Sequence, residues 1–306
     1  MSRLIDAIRS TPHALDGGLG TRLETRGNDV SSELWSAKVL QQRPDEVRSA
    51  HLDFFEAGAR VATTCSYQVS YTGFARAGFV ASEVDRLLDL SVDLAREARA
   101  LAGLSDRDAW VFASVGPFGA SLGDGSEYTG DYGSDIGVDE LRRWHRARLS
   151  RLARTGADAL ICETIPSLDE GRALALELPD LAVPAILSFT VGDETLRSGE
   201  SIAEAARIAH QAENVIAVGV NCSEAHHATT ALRLLREETD LPLVVYPNSG
   251  EHWNAQQRSW NGQATSLESD VDEWVSLGAR LVGGCCRVDV EEIAKIAARA
   301  SDTTIT

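Results

Sequence analysis

The 306-residue sequence is short of several things, and each shortage narrows what it can be. Lysine is almost missing: Lys38 and Lys295 stand alone, and arginine carries nearly all the positive charge, a usage pattern without mechanistic content. No stretch approaches the ~18 consecutive apolar residues of a membrane span. The N-terminus, Met1–Ser10, is amphipathic with an early acid, and it lacks the apolar core and small-residue cleavage site of a signal peptide. Cysteine occurs five times, an odd count without a regular framework, which favours ligands or core thiols over disulfides. A cytoplasmic location follows, where thiols stay reduced. Positive charge is scarce: the net charge of -17 argues against nucleic acid and anionic membrane surfaces as main partners. The acidity is spread over helix faces and reads first as a well-solvated surface. No G-x-G-x-x-G follows a first strand, as a dinucleotide-binding sheet would require. The seven histidines, His226 and His227 among them, form no HxH or HExxH spacing. No linker or composition break divides the chain, so residues 1–306 read as one domain.

What is present is a hydrophobic content of 43%, enough for a large core without staples. Strand-like apolar runs alternate with helical-period segments from end to end, the pattern of parallel βαβ units. Eight runs are expected as strands: His13–Asp16, Arg60–Thr64, Ala109–Val115, Ala157–Cys162, Ala182–Phe189, Val215–Asn221, Leu243–Tyr246 and Arg280–Gly284. Helices are expected over Pro44–Ala57, Ser82–Ala102, Asp139–Thr155, Ser167–Glu177, Ile202–Ala212, Glu224–Glu238, Ser266–Leu277 and Asp289–Ala300. Three strands follow one short phrase, x-Gly-Ala, at Gly58, Gly156 and Gly278. Glycine there reads as a helix terminus in the left-handed conformation. Eight strands with eight helices make an α/β protein, a single-domain (β/α)8 barrel.

In such a barrel the chemistry sits at the C-terminal ends of the strands. Those ends read Leu15-Asp-Gly-Gly18, Thr63-Thr-Cys-Ser-Tyr-Gln68, Cys162-Glu-Thr-Ile-Pro166, Asn221-Cys222 and Gly284-Cys-Cys-Arg287. Two long glycine-rich loops, Gly116–Gly137 and Pro247–Thr265, follow strands and lie on the same face. Loops of this length in a compact domain are usually functional or disordered, and their tyrosines and tryptophans argue for order.

Cys222, Cys285 and Cys286 close two of the runs. Cys65 and Cys162 read as buried small hydrophobes. A Cys285–Cys286 disulfide would be strained, and a reducing compartment disfavours it. Gly283-Gly284 supplies the bend that lets adjacent thiols converge, and Cys222 arrives from across the barrel. Three soft thiolates with one open position describe a catalytic Zn2+ site better than a closed structural one. A substrate thiol entering the fourth position would lose its proton and gain nucleophilicity.

Taken together, the phrases resemble the homocysteine S-methyltransferase family. They run from Leu15-Asp-Gly-Gly-Leu-Gly20 through Thr63-Thr-Cys-Ser-Tyr-Gln68, Ser114-Val-Gly-Pro-Phe-Gly119, Asp124-Gly-Ser-Glu-Tyr128 and Gly130-Asp-Tyr132. They continue through Glu163-Thr-Ile-Pro166, Gly219-Val-Asn-Cys222, Tyr246-Pro-Asn-Ser-Gly250 and Gly283-Gly-Cys-Cys-Arg287. The resemblance implies a zinc barrel with Cys222, Cys285 and Cys286 as ligands. It implies that Asp16 and Glu163 take the amino group of homocysteine, and that Thr64 and the backbone near Gly17 receive its carboxylate. Asn221, beside a ligand, would orient the metal shell or the incoming thiol. The methyl donor expected is a sulfonium, S-methylmethionine or S-adenosylmethionine, because the chain ends without cobalamin, folate or betaine-type extensions. Tyr128, Tyr132, Trp253 and Trp260 could cover the donor's charge by cation–π contact or simply anchor the loops. Val288-Asp289-Val290 stands where the family often has Thr-Thr-Pro, which puts contacts made by those threonines in doubt. Asp289 can still cap the last helix.

The expected reaction is zinc-dependent methyl transfer from the sulfonium donor to homocysteine, forming methionine. The expected partners are therefore these small molecules, with a monomeric or homodimeric protein. Three rivals remain at this point: a selenocysteine or selenohomocysteine methyltransferase, a zinc hydrolase that would want rim histidines, and a non-catalytic zinc- or amino-acid-binding barrel.

Overall fold

The structure, a computed structural model, describes residues 2–30, 36–254 and 259–303. Its frame is eight parallel strands: β1 (His13–Ala14), β2 (Val61–Thr63), β3 (Trp110–Val115), β4 (Ala159–Ile165), β5 (Ala185–Phe189), β6 (Val215–Asn221), β7 (Leu243–Tyr246) and β8 (Ala279–Val282). They pair in the order β1-β8-β7-β6-β5-β4-β3-β2. The ring closes between its two ends through a parallel bridge, Leu15 to Val61. Two bonds support the bridge, Asp16 N–H to the Val61 carbonyl at 2.9 Å and Arg60 N–H to the Ala14 carbonyl at 2.8 Å. The (β/α)8 barrel expected from the alternation is what forms.

The strands are buried on both faces, as parallel barrel strands must be. Inward-facing Leu15, Val61, Phe112, Ile161, Ile186 and Leu281 fill the barrel. Leu4 and Ile8 join that inner cluster from a helix over Ser2–Ser10, which plugs the end where the strands begin. The outer core lies between the sheet and the surrounding helices, among them Pro44–Glu56, Ala81–Leu101, Val138–Leu152 and Val290–Asp302. Among the described residues no helix is long and apolar enough to cross a membrane.

Gly58, Gly156 and Gly278 all carry positive φ, +106°, +82° and +103°, as the x-Gly-Ala phrase predicted. Gly58 N–H bonds the Phe55 carbonyl and Ala59 N–H the Phe54 carbonyl, both at 3.0 Å, so the helix end is closed as the strand begins. The helix expected over Ser266–Leu277 is shorter, Val271–Ser276 behind one 3-10 turn, Glu268–Asp270. Its first residues are held instead by Thr265 N–H to the Ser249 carbonyl at 2.7 Å and Leu267 N–H to Glu292 at 2.6 Å. Short helices not read from the sequence cover Leu19–Thr25, Ser36–Gln42 and Tyr71–Arg76. The Pro247–Thr265 loop carries a small antiparallel hairpin, His252–Asn254 with Ser259–Asn261. The side chains of Trp253 and Trp260 lie outside the described residues.

Candidate active site

Backbone strain marks the rim. Among the described residues three non-glycines take positive φ, Thr164 (+60°), Cys222 (+51°) and Arg287 (+64°). All three stand at or just beyond the C-terminal ends of β4, β6 and β8. Each such conformation costs about 1–3 kcal/mol and persists only where the surroundings hold it.

What holds Cys222 is its backbone: its N–H bonds the Tyr246 carbonyl at 3.3 Å, and Thr190 Oγ1 bonds its carbonyl at 3.3 Å. Cys285 N–H bonds the Pro247 carbonyl at 2.8 Å, and Cys286 N–H bonds Asn248 Oδ1 at 3.1 Å. The glycines between them permit the close approach. A Cβ on Gly283 would lie 2.6 Å from Leu15 Cβ, and one on Gly284 would lie 2.1 Å from Val288 Cγ1. The result brings the three sulfurs together. Cys222 Sγ is 3.7 Å from Cys286 Sγ, Cys285 Sγ is 4.0 Å from Cys286 Sγ, and all three lie within 4.8 Å of one another.

Sulfurs on a tetrahedral zinc at ~2.3 Å stand about 3.8 Å apart, so the spacing fits such an ion. The charge state fits as well. Hydrogen bonds from Cys285 and Cys286 hold the Cys222 thiol well below the usual thiol range. The same contacts with Cys222, together with burial, hold Cys285 and Cys286 well above it. A cation among the three sulfurs would favour the thiolate form of each. Cys65 and Cys162 sit apart, buried, and burial pushes each thiol up to about 12, which leaves them inert.

A cavity of about 510 Å³ opens over the sulfurs, lined by Gly17, Thr64, Glu163, Tyr128 and the three cysteines among others. Glu163 is buried beneath it and accepts a short hydrogen bond from Ser114 Oγ. Burial pushes its carboxyl up to about 7. The Tyr246 hydroxyl lies near enough to Glu163 to lower that value slightly, yet it makes no hydrogen bond of ordinary geometry. Asp16 stands behind the cavity wall, and burial pushes its carboxyl up to about 8, the charge on Glu163 adding to the effect. Its Oδ2 accepts Thr63 N–H at 2.7 Å and its Oδ1 accepts Thr63 Oγ1 at 2.8 Å. Two buried acids without a counter-cation among the described residues suit an ammonium ion.

Thr64 and Asn221 are each held by hydrogen bonds within the protein. Thr64 Oγ1 accepts Ser114 N–H at 3.0 Å and lies 2.7 Å from Ser66 Oγ, whose own proton goes to the Ser114 carbonyl at 2.7 Å. The Thr64 proton is therefore given to Ser66, and its hydroxyl is spent. Nearby, the N–H groups of Gly17 and Cys65 donate no hydrogen bond among the described residues. Asn221 is fully buried and does not line the cavity. Its Oδ1 accepts Thr164 N–H and Ser188 Oγ, and its Nδ2 donates to Thr164 Oγ1, all at 2.8 Å. It clamps the strained Thr164 that follows Glu163.

Sequence reasoning missed Ser114, Gln68, Glu127 and Tyr246 as lining residues. Each sits inside or beside a quoted phrase, so membership in those phrases was the signal available. Tyr128 brings its hydroxyl within 3.8 Å of Cys222 Sγ. Tyr132 is a loop anchor: its hydroxyl donates to Glu170 Oε2 at 2.7 Å.

Fold and site together define a (β/α)8 barrel with three thiols, spaced closely enough to hold one metal ion, at the rim where its strands end. The profile of the homocysteine S-methyltransferase family matches residues 13–300, and the chain belongs to that family. It is 40% identical to homocysteine S-methyltransferase YbgG of Bacillus subtilis, over 94% of this chain and 93% of that one. It is 39% identical to selenocysteine methyltransferase of Astragalus bisulcatus, over 90% and 89%. Among solved structures it superposes on the metallated form of the homocysteine methyltransferase MmuM from Escherichia coli with a TM-score of 0.84, at 40% identity over 97% and 98% of the two chains.

Proposed function

We propose that this protein methylates homocysteine to methionine from a sulfonium donor, S-methylmethionine or S-adenosylmethionine, with zinc held by Cys222, Cys285 and Cys286. The observation that carries this reading is three sulfurs at tetrahedral-edge spacing on the floor of the cavity that Glu163 lines. Zinc bound there would supply the Lewis acidity that lets the acceptor thiol give up its proton at neutral pH.

The protein's own residues place the acceptor. Glu163 and Asp16 take its ammonium, and the ion pair returns both carboxyls to the charged state. The N–H groups of Gly17 and Cys65, in the cavity lining and without an acceptor among the described residues, would receive its carboxylate, with Thr64 contributing through the backbone turn it anchors. Asn221 acts as a positioning residue through Thr164. In the reaction a bond forms between the acceptor sulfur and the methyl carbon, and the bond from that carbon to the donor sulfur breaks. The donor leaves as a neutral thioether, and the thiol proton goes to water. No side chain has to act as a general base. Holding the thiolate and the methyl group in line is worth roughly 7–11 kcal/mol.

The acceptor has a second reading. A relative 39% identical is named a selenocysteine methyltransferase, and soft thiolates serve a selenol as well as a thiol. The reduced thiols suit a cytoplasmic protein, working as a monomer or homodimer. The test is methionine formation by the zinc-loaded protein from homocysteine, with S-methylmethionine, S-adenosylmethionine and betaine in separate reactions. Turnover with a sulfonium donor and not with betaine is expected, and Cys286→Ala is expected to lose metal and turnover together. Full turnover by that variant without metal would overturn the mechanism; turnover with selenols alone would move the acceptor.

A further inference from the structure

We infer that Glu127 is the residue that recognises the positive charge of the methyl donor, with Gln68 as its neutral companion. The inference rests on the sulfonium reading above and deepens it.

Glu127 lies in the second of two 3-10 turns, Ser126–Tyr128, in the long loop after β3. The turn is fixed from both sides. Asp124 Oδ1 accepts Ser126 N–H at 3.0 Å and Ser126 Oγ at 2.6 Å. Gly119 packs against it so closely that a Cβ there would lie 2.4 Å from Glu127 N. The residue is 9% exposed and lines the cavity over the thiols, yet its Oε2 has no hydrogen-bond partner among the described residues. Gln68 Oε1, on the same cavity wall, is likewise buried and unpartnered. A buried polar atom left unpaired costs free energy, and a buried carboxylate costs more. Burial accordingly raises the Glu127 carboxyl, with the charge on Cys222 adding to it.

Both unpartnered atoms are acceptors. Among the described lining residues the one permanent cation is Arg287, and it already bonds Glu24 Oε2 at 3.0 Å and Glu251 Oε2 at 3.3 Å. The wall therefore holds two acceptor oxygens without a donor and, among the described residues, no free cation. Its position says which cation it awaits. Glu127 directly precedes Tyr128, whose hydroxyl is 3.8 Å from Cys222 Sγ. The ammonium of the acceptor has Glu163 and Asp16. The donor's sulfonium is the charge that must come beside the thiols.

The chemistry fixes how this contact shows itself. Methyl transfer joins a sulfonium to a thiolate and annihilates both charges, so a carboxylate beside the sulfonium binds the reactants better than the transition state. Such a contact serves affinity and selectivity more than rate. Glu127→Gln keeps shape and removes charge. It is expected to raise the KM for S-methylmethionine tenfold or more, with kcat and the KM for homocysteine moving far less. The conservative Glu127→Asp is expected to recover part of the loss, and Gln68→Leu to give a smaller rise in donor KM.

A second readout is independent of turnover. Calorimetric binding to the zinc-loaded protein compares S-methylmethionine with its neutral isostere, in which carbon replaces the sulfonium sulfur. The wild type is expected to prefer the cation at least tenfold, and Glu127→Gln to lose most of that preference while keeping its fold and zinc content. An unchanged preference in Glu127→Gln, or none in the wild type, would overturn the inference. Equal rises in both KM values would overturn it too, since they would make Glu127 a scaffold for the whole site. Absence of wild-type turnover with either sulfonium would instead strike the proposed reaction, while the binding comparison still decides Glu127.

Discussion

At the scale of the residue, the buried acids of the site have no cationic partner among the described residues. Glu163 shows this with a sign that can be measured. Its folded pKa of about 7 lies above the ordinary 4.5, so ionising it opposes folding. The neutral carboxyl's advantage is fully present below about pH 4.5 and is lost as pH rises through about 7. Glu163→Gln retains the oxygen that accepts from Ser114 and removes the charge. Without ligand at pH 8 it is expected to be more stable than the wild type by up to about 3 kcal/mol, a gap that closes near pH 4.5. Urea unfolding at the two pH values reads this directly, and the same variant is expected to bind homocysteine at least tenfold more weakly. The thiol triad was legible in the sequence because cysteine, glycine and strand-like runs are local signals. The uses of Thr64 and Asn221 were not. Their hydrogen bonds reach Ser114 and Ser188, tens of residues away in sequence, and only the folded neighbourhood says which lone pairs are free.

At the scale of the element, the loop over Gly116–Gly137 is held by one buried carboxylate. Glu170, on the helix Leu168–Glu177, is fully buried. It accepts Phe118 N–H at 2.6 Å, Tyr132 Oη–H at 2.7 Å and lies 2.8 Å from His145 Nε2. Arg148 adds bonds to the Gly116 and Tyr67 carbonyls from the helix Val138–Leu152. Glu127 and Tyr128 ride on that loop. Glu170→Ala leaves several donors unpaired and is expected to cost about 3–5 kcal/mol of stability. Limited proteolysis is expected to cut the loop sooner, and donor KM to rise before metal content falls. Loss of metal first would mean that the network supports the thiols and not the loop. Helix periodicity placed Leu168–Glu177 nearly to the residue, because its apolar face is written in sequence. The truncated start of the helix at Val271 was not legible, since Thr265 and Leu267 bond to Ser249 and Glu292 from other segments.

At the scale of the whole molecule, the barrel is closed at one end and open at the other. Leu4 and Ile8 seal the end away from the thiols. Ile8→Asp is expected to destabilise the protein by about 3–5 kcal/mol through lost burial and a charge in an apolar plug. Thermal melting would register it, while metal uptake by the folded fraction is expected to stay at the wild-type level. The sequence by itself determined the alternation of strands and helices, the left-handed glycines before three strands, and the convergence of polar residues on one rim. Those follow from short-range physics: apolar periodicity, φ preference and the direction in which a βα unit runs. The tertiary structure alone decided which buried oxygens lack partners, which acids share a cavity, and how far apart three sulfurs stand. Those depend on ring closure and on desolvation, which exist only once distant segments have excluded water together.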